Sequence, residues 1–197
     1  MPEFTPPRPF TLNDIHVGTL LYAVLVQHAA SHPGKTVYYS DLLAQARQRF
    51  PVDEDAKRAV PVGIGMKLLF VQAFCKAHGC PNLACLAVNK GQQTPGRSYP
   101  GNWEKEMREV AAFDWVSVQP ALDSYVAQTK NAAMPLEKRR EDKARDLLFA
   151  HFREHRADYS GFDHDDREEM VSLLMNGFDI DIALREVLDR KAECQLR

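Results

Sequence analysis

The sequence has few cysteines, few tryptophans and no long apolar run. Four cysteines in 197 residues, at 75, 80, 85 and 194, mostly lie in or beside apolar stretches. They do not make a disulfide scaffold, and reduced thiols in a cytoplasmic protein are the expected state. No stretch approaches the roughly 20 apolar residues that a membrane helix needs. The opening MPEFTPPRPFTLND lacks the basic-then-apolar order of a secretory signal, and its four prolines predict an extended arm over residues 1–12. There is no internal repeat, low-complexity tract, phosphate-binding glycine loop, dinucleotide fingerprint or Ser/His/Asp spacing. These absences argue against membrane, secreted, repeat and nucleotide-cofactor classes, and no cofactor is expected.

What is present is a balanced chain, 45% apolar and 26% charged. Its length suits one good core or two small ones. The formal net charge of -2 is unevenly spread. Residues 1–100 carry ten Lys/Arg against six Asp/Glu, and residues 101–197 carry fifteen against twenty-one. The first half can meet a polyanion; the second is better suited to a basic partner.

Apolar spacing predicts a first helix from Asn13, as its cap, to about residue 31, with Val17, Leu20, Leu21, Val24 and Leu25 on its core face. A short β-prone stretch at 36–39 precedes a helix capped by Ser40. Pro61 opens the next helix, and Leu83 to Val88 reads as a buried strand leading into the Gly/Pro-rich, basic hairpin NKGQQTPGRS. Further helices follow from Trp103 and Pro120. Met134-Pro135 breaks the chain, and three charged helical patterns lie beyond it, the last capped by Asp179. The expected fold is α+β and mostly α. A winged helix-turn-helix domain spans 13–115, and a small helical bundle spans 116–197.

The order of these segments resembles the C-terminal winged-helix module of O6-alkylguanine-DNA alkyltransferases and alkyltransferase-like proteins. Tyr39-Ser40-Asp41-Leu42-Leu43 resembles that family's Y-x-x-L-A helix start. Val62-Gly63-Ile64-Gly65-Met66 is similar to its V-G-x-A-M recognition-helix segment. Val88-Asn89-Lys90 with Gly96-Arg97-Ser98-Tyr99-Pro100-Gly101 resembles its strand and glycine-rich hairpin. About 85 residues are covered. Cys85 falls near the family's nucleophile, but no His or Arg follows it, and Val60-Pro61 stand where the base-flipping Arg would be. The resemblance therefore implies a DNA-binding fold without alkyl transfer.

Two residue sets are the candidate nucleic-acid contacts: the hairpin residues Lys90, Gln92, Gln93, Thr94, Arg97 and Ser98, and an exposed face of the Pro61 helix with Lys67, Gln72 and Lys76. Cys75, His78, Cys80 and Cys85 have zinc-ligand chemistry in no common finger spacing, so buried thiols are expected and no metal. The acidic run from Asp163 to Glu169 suits a helix start. Met170, Leu173, Leu174 and Met175, followed by Gly177-Phe178, resemble a ubiquitin-associated-like bundle. The leading expectation is a non-enzymatic, DNA-binding and regulatory protein. The rival is a protein-binding adaptor or inhibitor, such as a phage or mobile-element factor acting on host machinery through its acidic half. Narrow apolar stripes at Leu147, Leu148 and Phe152, and at Ile182, Val187 and Leu188, leave surface for a homodimer or partner.

Overall fold

A computed structural model describes residues 6, 8–90, 102–134 and 136–195, the last three by their backbone. The described residues are mostly helical, with one two-stranded sheet among them. The chain forms two compact units, one of residues 1–57 and 64–134, the other of 58–63 and 135–197. The break at Met134-Pro135 is thus a unit boundary, and the helix that begins at Gln119 belongs to the N-terminal unit rather than to a bundle starting at 116. No described helix is long and apolar enough to cross a membrane.

In the N-terminal unit, helix α1 (Leu12–Ser31) starts from Thr11, not Asn13. Thr11 Oγ1 accepts from the Asp14 amide at 3.1 Å, and the Asp14 carboxylate accepts from the Thr11 amide at 3.0 Å. This reciprocal box satisfies two helix-end donors. The last residues of the predicted arm are anchored here. Phe10 is buried with Ile15, Met66 and Phe70, and Arg8 pairs with Asp14 at 2.7 Å.

Strand β1 (Val37–Tyr38) leads straight into α2 (Tyr39–Arg49), so Ser40 lies inside the first turn and Tyr38 occupies the cap. A short α3 (Glu54–Arg58) follows. Pro61–Gly63 is a single 3₁₀ turn, and helix α4 (Gly65–Ala77) begins only after it. Helices α1 and α4 approach closely at Gly18, where a Cβ would stand 2.7 Å from the Phe70 ring and 2.9 Å from the Lys67 carbonyl.

The predicted strand 83–88 is buried but mostly not a strand. Leu83–Leu86 forms a 3₁₀ turn capped by the Asn82 side chain, and only Ala87–Val88 extends as β2. β2 pairs with β1 in parallel, Val37 opposite Ala87 and Tyr38 opposite Val88. Parallel pairing requires a long crossover, which α2 to α4 supply. Helices α5 (Trp103–Ala112) and α6 (Gln119–Asn131) complete the unit. Edge-to-face rings fill its interior: Phe10–Phe70 at 5.7 Å, Tyr22–Phe74 at 5.3 Å and Phe74–Tyr125 at 5.5 Å. Each fully buried ring contributes on the order of 2–3 kcal/mol through the exclusion of water.

The C-terminal unit comprises α7 (Glu141–Glu154), α8 (His164–Met175) and α9 (Ile180–Gln195), together with residues 58–63. Asp163 caps α8 through a second reciprocal box with Asp166, and Asp179 accepts from the Asp181 amide at the start of α9. The acidic run is therefore a helix start. Arg190 donates to the buried Glu169 at 2.9 Å and to the Val62 carbonyl at 3.4 Å. Lys191 pairs with the buried Asp166. Gly63 lies hard against the Glu169 carboxylate, which fills the space where a Cβ would stand. Arg58 meets Glu141 at 2.7 Å, and Arg145 joins Glu141 to Glu168.

Candidate nucleic-acid interface

The expected exposed face of the Pro61 helix does not exist as drawn from the sequence. Eight of the thirteen residues of α4 are buried, Lys67 and Gln72 among them. Lys67 is 4% exposed and its ammonium lies 3.7 Å from Asp14. Both residues are withdrawn from any phosphate, because α4 packs against α1 on one side and the 83–86 turn on another. Burial would raise the Asp14 pKa, but Lys67 and Arg8 outweigh it and hold the carboxyl below its ordinary value. Lys67 thus serves a buried carboxylate.

Lys76, in the last turn of α4, and Lys90, two residues beyond β2, are exposed. Gln92, Gln93, Thr94, Arg97 and Ser98 lie outside the described residues.

The structure brings together a set that sequence reasoning did not find. Gly34, Lys35 and Thr36, from the loop before β1, and Tyr38 of β1 face Trp103, Glu104, Met107 and Arg108 of α5 across an open groove of about 480 Å³. Lys35 and Arg108 are exposed, and Tyr38 and Trp103 are half-buried. Trp103 is held in place by its indole N–H, which donates to the Cys85 carbonyl at 2.8 Å. Because Tyr38 pairs with Val88, the chain leaves the sheet beside this groove, with Lys90 the first cation along it. The residues are some 65 positions apart in sequence. Their one shared signal is an aromatic near a cation at each end.

Cys85 is fully buried, and burial, with Glu106 and Cys75 nearby, pushes its thiol up. Burial likewise pushes the Cys75 thiol up to about 12. Such thiols are poor nucleophiles and poor ligands. Among the described residues no group of His, Cys, Asp or Glu is placed to hold a metal ion. An Asp-His-hydroxyl line does occur in the C-terminal unit. His151 reaches the Tyr159 hydroxyl at 2.7 Å and Asp181 at 3.3 Å. Tyr159 is buried, however, and burial is the main cause pushing its hydroxyl up to about 12. The hydroxyl end of the line is therefore withdrawn from solvent.

No family model, curated protein or solved structure matches the chain.

Proposed function

We propose that the N-terminal unit binds nucleic acid without catalysis, as a winged helix-turn-helix variant. The groove between the loop before β1 and α5 is its contact surface. That groove carries the reading: two exposed cations, Lys35 and Arg108, flank two half-buried rings, Tyr38 and Trp103. Cations suit phosphate, and rings offer a sequence-tolerant surface for bases. Lys90 and Lys76 add charge on the same unit. The burial of Cys85 supports the non-enzymatic part, since an alkyl acceptor needs a reachable, activated thiolate.

A salt series of fluorescence-anisotropy titrations with labelled single- and double-stranded oligonucleotides tests this. The Lys35→Ala, Arg108→Ala double variant should fold normally. Its log–log salt slope should be lower by about 1.4 to 1.8, because two phosphates are no longer neutralised. Unchanged affinity and slope with both oligonucleotides would remove the proposal.

A further inference from the structure

The C-terminal unit is acidic overall, with twelve Lys/Arg and sixteen Asp/Glu in residues 135–197. Yet cations gather at one place on it. Arg139, Arg140 and Lys143 border an open groove of about 550 Å³ whose apolar lining is Leu147 and Ala150. Among the described residues that line it, Asp146 is the one carboxylate. Lys143, Leu147 and Ala150 follow one face of α7 at steps of four and three, so the lining runs along the helix for about 10 Å.

The three cations play different parts. Arg139 is a fixed wall: its guanidinium donates to the carbonyls of Leu174 at 3.0 Å and Phe178 at 2.7 Å. Arg140 and Lys143 instead make exposed pairs, with Asp142 at 3.3 Å and Asp146 at 3.7 Å. Exposed pairs of this kind hold little energy and exchange readily for another carboxylate. Leu147, 42% exposed, is a large apolar side chain left in water one turn beyond Lys143.

We propose that this groove docks an acidic peptide segment of another protein, one whose carboxylates flank a bulky apolar side chain. The apolar residue covers Leu147 and Ala150, and its neighbours meet Arg140, Lys143 and the outer edge of Arg139. A nucleic acid fits less well. The lining is aliphatic, so bases have no ring to stack on and the sugar–phosphate chain has no large apolar group to bury. The proposal is independent of the groove on the N-terminal unit.

The test uses the full chain and a labelled peptide of about 14 residues, roughly four helical turns, built from Glu-Asp-Leu-Leu repeats. A second peptide replaces every Leu with Ser and keeps the charge. Saturable binding of the first peptide is expected, with the second weaker by about tenfold or more. Leu147→Asp and the Arg140→Glu, Lys143→Glu double variant should each weaken the first peptide by about tenfold. All these side chains are exposed, so circular dichroism should show unchanged folding, and the milder Lys143→Ala should give a smaller loss in the same direction.

Several results would overturn the proposal. These are no saturation up to about 1 mM peptide, equal affinity for both peptides, or affinity indifferent to the substitutions. Displacement of the peptide by a stronger-binding single-stranded oligonucleotide would assign the groove to nucleic acid instead. A chain mass that halves in light scattering on Leu147→Asp would assign it to a second copy.

Discussion

The two units bury charge in contrasting ways. Among the described residues, the N-terminal unit surrounds one buried carboxylate, Asp14, with a core rich in rings: Phe10, Tyr22, Phe70, Phe74 and Trp115. The C-terminal unit is smaller, and α7 buries only Ala144 fully. Two carboxylates, Asp166 and Glu169, are 3% and 1% exposed within it, each tied to a cation from α9. Buried ion pairs are weak sources of stability but costly to break. A unit with a small apolar core is therefore more sensitive to loss of one charge, and a unit with a large core to loss of one ring.

The largest expected effects test that contrast directly. Phe70→Ala should cost the N-terminal unit about 3–5 kcal/mol through a cavity between α1 and α4. Glu169→Ala should cost the C-terminal unit a comparable about 3–5 kcal/mol by leaving Arg190 short of its partner. Both tryptophans, Trp103 and Trp115, lie in the N-terminal unit, so denaturation followed by tryptophan emission should register the first change and largely miss the second. Amide exchange in α8 and α9 should show the reverse. If both substitutions shift both signals equally, the contrast fails.

A smaller effect concerns pH. The Asp14 carboxyl titrates below its ordinary 3.8 in the folded protein. The unfolded chain therefore binds its proton first, so the stability from Asp14 is present above about 3.8 and drains away as pH falls through the lower folded value. Asp14→Asn should lower stability near neutrality by about 2–3 kcal/mol, because Lys67 stays buried without a counter-charge. It should also flatten the acid side of the stability curve. Urea midpoints at about pH 3 and about pH 6 check both points.

The smallest expected change has the opposite sign. The Tyr22 hydroxyl is buried without a hydrogen-bond partner among the described residues. Tyr22→Phe keeps the ring contacts with Phe74 and Trp115 and removes an unsatisfied group. It should raise stability by up to about 1 kcal/mol. A loss of that size would mean the hydroxyl has a partner.

Much of the helical layout is legible in the sequence because it depends on local signals. Periodicity and stops locate α1, α5, α6, α8 and α9, and Asp179 marks the start of α9. The differences have specific causes. The Pro61 helix reads as amphipathic if its polar residues are weighed singly, which puts Lys67 and Gln72 on an exposed face. The nearly continuous apolar run MKLLFVQAFC is the better guide, since a helix apolar on all sides is buried and its polar residues with it. Leu83 to Leu86 shows the usual ambiguity of a short apolar run, which periodicity alone cannot assign to strand or turn. The groove at Lys35, Tyr38, Trp103 and Arg108 depends on a parallel pairing of two residues per strand, too short to leave a pattern.

Membership of Arg58–Gly63 in the C-terminal unit governs the order in which the chain can be finished. On a ribosome, these six residues emerge long before Glu169 and Arg190 exist to receive them. The backbone around Gly63 must wait through more than a hundred further residues, an interval in which the flanking N-terminal unit can fold. Closing so long a loop is an entropic delay that local helices avoid. A stop after Met134 would leave Gly63 without Glu169, and a gene fragment starting at Pro135 would leave Glu169 without Gly63. Neither half of the coding sequence specifies a complete C-terminal unit by itself.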